Sequence, residues 1–160
     1  MQQIEPKIMS LDKIYLAGVV VYGNSDKGLF AHAWDIFMKV NTGINWKNDK
    51  IAYGVEFFTE ELYRENKWFY MVAMEVADLS NIPTNMVGKV IPVNTYAVFT
   101  SKGKIENTRK TSQYAHDKWL PASKYEQADW FEFERYDNRF KGPAEEDSEV
   151  DIYIPIREKA

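Results

Sequence analysis

Asp129-Trp-Phe-Glu-Phe-Glu-Arg-Tyr136, followed after a polar loop by Ser148-Glu-Val-Asp-Ile-Tyr-Ile-Pro-Ile156, is the stretch whose reading decides the fold. Both segments read as strands, rich in aromatic and β-branched residues. Strand side chains alternate between faces, so Trp130, Glu132, Glu134 and Tyr136 point one way while Phe131, Phe133 and Arg135 point the other. A face that sets two glutamates beside a tryptophan and a tyrosine is a poor core layer if buried without a partner, and a good receptor for an organic cation. An ordinary solvent-facing strand, its charges paired with Arg135 or nearby lysines, is the alternative. The connecting segment, Asn138 to Ser148, holds Gly142-Pro143 and the acids Glu145, Glu146 and Asp147, as expected of an exposed hairpin loop.

Working back from this pair, the chain reads as one element order written twice. Ile14 to Tyr22 is a valine-rich strand, and Gly23 to Gly28 is a loop in which Ser25 or Asp26 can cap the next helix. Leu29, Phe30, Ala33, Trp34, Ile36, Phe37 and Val40 recur at helical spacing, predicting a helix to about Asn41. Ile51 to Thr59 and Trp68 to Ala77 follow as strands. After the turn-rich segment Asp78 to Asn85 the order returns. Val87 to Ser101 reads as a strand with Pro92 at an edge or bulge, and Lys104 to Leu120 as a helix ended by Pro121. The two closing strands complete the second copy. Corresponding elements lie about 75 to 80 residues apart, a fold-level repeat of order with little residue identity. The expectation is a single domain over residues 1–160, with repeat modules at about 8–80 and 86–158. Two like modules facing each other create a cleft at their junction.

The 160 residues suit one domain or two small fused modules. Aromatic residues make up 15% of the chain, more than a small core requires, so rings pack the modules or line a cavity. A net charge of -4 argues against direct nucleic-acid binding, which favours a basic stripe. The basic cluster Lys102, Lys104, Arg109 and Lys110 reads as a solvated helix start. Without cysteine there is no disulfide scaffold, thiolate metal site or thiol nucleophile. His32 and His116 lie far apart with no Glu-x-x-His context, so neither a metal nor another cofactor is expected. No nucleophile elbow or phosphate loop is present. The N-terminal residues lack a signal-peptide pattern, and the apolar run Tyr15 to Tyr22 is too short to span a membrane. A soluble, cytoplasmic protein is the expectation.

Four segments carry a resemblance: Asn94-Thr-Tyr-Ala-Val-Phe-Thr-Ser-Lys-Gly103, Tyr114 with Trp119-Leu-Pro121, Phe133-Glu-Arg-Tyr-Asp137, and Val150-Asp-Ile-Tyr-Ile-Pro-Ile156. In this order they resemble the GyrI-like family of effector-binding domains, the drug-sensing part of multidrug-responsive activators of the BmrR and Rob type. The resemblance covers essentially the whole chain. It implies an α+β fold of two pseudo-twofold-related strand-helix-strand-strand modules, their antiparallel sheets forming a ligand cleft. In the drug-sensing members a glutamate on the penultimate strand meets a lipophilic cation within a cage of aromatics. The Glu-x-Tyr motif places that glutamate at Glu134, and Glu132 fits if the register shifts by one pair. Tyr53, Tyr96, Tyr114 and Trp119 match aromatic positions of the family, with Tyr136 and Tyr153 completing the ligand-lining set. The chain departs from the activators in showing no helix-turn-helix region, so direct transcription control by it alone is not expected.

The partner implied is a small-molecule ligand, a lipophilic cation, with neither nucleic acid nor membrane. A buried carboxylate suffers desolvation, and a second carboxylate about 6.6 Å along the strand adds repulsion. A delocalised cation relieves both. Two other functions remain open: hydrolysis of a reactive electrophile, with Glu134 and Tyr114 or Tyr153 as an acid–base pair, and binding of a protein partner through the acidic Glu145-Glu-Asp147 loop, or of a second copy of the chain.

Overall fold

The computed structural model describes residues 4–160. Its strands are β1 (Lys7–Leu11), β2 (Ile14–Gly23), β3 (Ala52–Phe57), β4 (Trp68–Val76), β5 (Val87–Ile91), β6 (Asn94–Lys102), β7 (Tyr125–Gln127), β8 (Phe131–Tyr136) and β9 (Glu149–Glu158). The helices are α1 (Leu29–Val40), α2 (Glu61–Glu65), α3 (Glu106–Tyr114) and α4 (Leu120–Ala122), with a π-helical turn, Ala115–Trp119, joining the last two. The class is α+β, and the strands pair antiparallel within each of two compact units. No helix among the described residues is long and apolar enough to cross a membrane.

One unit is Lys13–Pro92. Its strand order is β3-β4-β2-β5. The β-branched run of β2 suits a pleated sheet, and α1 buries Ala33 and Phe37 against Ala17, Tyr70, Val72, Met74 and Val76. Complete burial of the Phe37 side chain contributes about 2–3 kcal/mol. The chain enters α1 through a 3-10 turn, Asp26–Gly28, and the cap position falls on Gly28 at φ 72°, where a Cβ is disfavoured. Neither Ser25 nor Asp26 caps the helix; the Asp26 amide itself donates to Asn24 Oδ1.

The other unit joins the residues up to Asp12 to Val93–Ala160. Its order is β8-β9-β6-β1, the same antiparallel plan, with β7 added along the end of β9. Two edge strands pair away from the strand that follows them: β1 precedes β2 but pairs with β6, while β5 precedes β6 but pairs with β2. The expected strand Val87 to Ser101 is in fact β5 and β6, divided at Pro92, which has no N–H to continue a ladder. The expected helix Lys104 to Leu120 does not stop before Pro121, because its last turn widens. The Leu120 amide reaches the Ala115 carbonyl, five residues back, and the helix runs on to Ala122. A proline ring at 121 would collide with the Asp117 carbonyl in a regular α-helix, and the wider turn relieves that contact. β1, α2 and β7 are too short or too exposed to show an apolar period.

Candidate functional site

The sheet of the second unit has two chemically different faces. The register pairs Phe99 with Ile152 and Ala97 with Ile154, and these side chains pack with Ala115 and Leu120 under α3 and α4. Glu134 pairs with Ile152, so Glu134 shares this helix-covered face, and by alternation so do Glu132 and Tyr136. On the opposite face Phe133 pairs with Tyr153, which pairs in turn with Val98, two residues along β6 from Tyr96.

Glu132 is 5% exposed and fully engaged. Ser112 Oγ donates to its Oε1 at 3.1 Å, and His116 Nε2 lies 2.6 Å from its Oε2. Ser112 and His116 stand four residues apart, a helical spacing that directs both side chains at one strand. Burial alone would lower the His116 pKa, but the hydrogen bond and charge of Glu132, with Asp117 adding, hold it above the ordinary value of 6.5. The pair is therefore held as an imidazolium–carboxylate pair to higher pH than an ordinary histidine would allow.

Glu134 is in a different condition. It retains some exposed surface, yet protein closes around its carboxylate, and desolvation pushes its pKa up to about 7. The Tyr136 hydroxyl donates to Oε2 and opposes that rise, while the charge of Glu132 adds to it. Among the described residues no lysine or arginine forms an ion pair with Glu134. Arg135, a candidate partner from the sequence, points to the other face and pairs with Asp137 at 3.0 Å. Arg139 grips Asp137, Glu149 and Asp151, and Ser148 Oγ meets the Lys141 and Gly142 amides. The β8–β9 loop is thus anchored at its base.

The expected ligand-lining residues fall into three places. Glu132, Glu134 and Tyr136 share the helix-covered face, where Tyr114 and Trp119 also pack; Trp119 meets Phe99 edge-on at 5.4 Å and stacks on Tyr125. Tyr96 and Tyr153 lie on the opposite face in a buried cluster with Phe131 and Phe133, the Phe133–Tyr153 rings stacked at 4.7 Å. Among the described residues the buried Tyr96 hydroxyl has no hydrogen-bond partner, and burial, with Asp129 adding, holds its pKa far above the phenol value. Tyr53 is in the other unit, buried on β3 opposite Ala73. His116 and Ser112 were not legible as site residues. Their i, i+4 spacing was the available signal, but only the structure shows which helix face meets β8. Among the described residues no group of three histidine or carboxylate side chains is placed to hold a metal ion.

This arrangement can be set beside known proteins. A family model described as Cass2, integron-associated effector binding protein, matches residues 7–156. The transcriptional regulator BrlR of Pseudomonas aeruginosa is 27% identical over 156 residues, 97% of this chain and 56% of that protein. The chain thus spans about half the length of the curated relative it matches. The structure of SAV2435 bound to tetraphenylphosphonium superposes with a TM-score of 0.75 at 15% identity, over 96% of this chain and 94% of that one. The EcmrR C-terminal domain gives 0.75 at 14% identity, over 99% and 100%. The fold is that of these two structures, and the family match spans nearly all of the sequence. The chain belongs to the Cass2 family of integron-associated effector-binding proteins.

Proposed function

We propose that the domain binds a lipophilic organic cation, with Glu134 supplying the counter-charge, and that it acts in sensing or sequestration of such compounds. The observation that carries this reading is the state of Glu134: a carboxylate enclosed in protein, its pKa raised to about 7, with a phenol but, among the described residues, no lysine or arginine partner. A buried acid in that state is stabilised by any ligand that brings a positive charge and loses apolar surface to water on entry. SAV2435, similar in fold, was solved with tetraphenylphosphonium, a ligand of that type.

The energetics are adequate. Micromolar affinity needs about 8 kcal/mol. A cation over an aromatic ring in a dry site contributes about 2 kcal/mol, and apolar burial adds about 25 cal/mol per Å². The rings on the carboxylate's own face, Tyr136 and Tyr114, are the first candidates for stacking. Tyr96 and Tyr153 would enter the site only for a ligand that reaches beyond that face.

Titration of tetraphenylphosphonium by calorimetry, with Glu134→Gln and Glu132→Gln beside the wild type, tests the proposal. The expected result is micromolar binding that strengthens from pH 5 to 8 as Glu134 ionises, and a loss of about 30-fold or more in Glu134→Gln. Equal affinity in wild type and Glu134→Gln, or affinity flat across that range, overturns the assignment of the counter-charge.

A further inference from the structure

We propose that His116 is the site's built-in counter-ion to Glu132, so that one carboxylate, Glu134, is left for a ligand and the site selects organic cations of single charge over double charge. The inference rests on the reading of Glu134 given above and adds the valence of the ligand.

Glu132 and Glu134 stand on one strand face, and two open carboxylates there would favour a dication. Glu132 is not open. Its two oxygens are taken by Ser112 and His116, and its side chain is 7% exposed. The His116 side chain is 33% exposed, so its proton exchanges with solvent while the carboxylate it holds stays covered. The π-helical turn carries His116 at its second position, and Pro121 maintains that turn. The imidazolium is therefore fixed by the backbone course of the helix.

The charged and titratable groups around the imidazole are few. Glu132 faces it from β8, with Glu134 beyond on the same strand face. Asp117 adjoins it on its own turn, and Ser112 on α3 is neutral. Among the described residues the charged groups acting on the ring, Glu132 and Asp117, are acidic and favour its cationic form. With His116 charged, Glu132 and His116 cancel, and the charge left for a ligand is that of Glu134 alone, to the extent that it is ionised. As pH rises through the His116 titration that cancellation is lost, and the site gains one negative charge.

The test uses two flat cations of nearly equal shape, N-benzyl-4-phenylpyridinium with one charge and 1-benzyl-1′-methyl-4,4′-bipyridinium with two. Their affinities for the intact protein are measured by fluorescence titration from pH 6 to 9. The expected result is a preference for the monocation at pH 6 that shrinks about tenfold as His116 deprotonates. In His116→Gln the preference is already reduced at pH 6, and the change that remains follows the Glu134 titration near 7 alone. If that variant does not fold, the same series in Glu134→Gln, which removes the other group titrating near 7, carries the test: a ratio that still shifts with pH supports the His116 role, and a constant ratio overturns it. Binding of both cations with a ratio constant over this range overturns the valence inference and leaves Glu134 as the counter-charge. Failure of the folded wild type to bind either cation overturns both readings.

Discussion

The two units carry the same antiparallel strand plan and fill the helix-covered face in opposite ways. Register equivalence sets Gly54, opposite Val72, against Glu134, opposite Ile152. It likewise sets Tyr70 on β4 against Val150 on β9. In the first unit the space above Gly54 belongs to the Tyr70 ring, whose hydroxyl accepts the Trp34 indole N–H at 2.9 Å, and a Cβ on Gly54 would run into that hydroxyl. In the second unit the tyrosine is a valine, and the space is given to a carboxylate. The helices match their faces: α1 presents Phe30, Trp34 and Phe37, whereas α3 presents Thr111 and Ser112 and passes into the turn that bears His116. One unit fills its helix face with apolar packing, and the other sets carboxylates beside a packed apolar cluster. The same architecture thus carries aromatic packing in one half and buried carboxylates in the other.

The strongest way to break this comparison is to exchange the chemistry. Gly54→Glu forces a side chain into the Tyr70 hydroxyl and buries a charge in an apolar face, with a cost of about 4 kcal/mol or more. Chemical denaturation at pH 7 should show a variant unfolded or nearly so. A loss under about 1 kcal/mol would show that the first unit tolerates a carboxylate and that the contrast is one of sequence alone.

A smaller effect of opposite sign is expected in the second unit. Glu134 has a folded-state pKa raised from 4.5 to about 7, so the folded state holds the proton more tightly than the unfolded chain. Its contribution to stability is therefore greatest at low pH and declines as pH rises from about 4.5 through 7. Glu134→Gln removes that decline and should stabilise the protein at pH 8 by roughly 1–3 kcal/mol, with little change at pH 4.5. Urea unfolding at the two pH values measures it. Destabilisation at pH 8 would mean that Glu134 is favourably paired in the folded state. The His116 pair has its own window. Its pKa is raised, so its contribution is complete below about 6.5 and is lost as pH passes the folded-state value.

Much of this division could be read from the chain. The alternation of Trp130 to Tyr136 placed Glu132, Glu134 and Tyr136 on one face, and the apolar period of Leu29 to Val40 gave α1 and its packing side. The split at Pro92 and the passage of the helix through Pro121 were missed because proline reports only the N–H it lacks, while neighbouring pairings decide whether the chain bends or continues. The role of His116 was hidden for a related reason. Its partner is 16 residues away in sequence, and the contact exists only once the π-helical turn has set the helix phase against β8. The exchange of β1 and β5 between sheets is equally invisible locally, since both are short edge strands whose pairing is decided by long-range register.

The central claim, that Glu134 is an enclosed acid awaiting a cation, is tested most directly by its own titration. Carbon-13 NMR of the glutamate side-chain carboxyls, with the Glu134 signal assigned through Glu134→Gln, gives its midpoint in the free protein and in the presence of saturating tetraphenylphosphonium. The account predicts a midpoint near 7 in the free protein, falling by a unit or more when the cation is bound. A midpoint in the ordinary carboxylate range in the free protein, or one that the cation leaves unmoved, would contradict it.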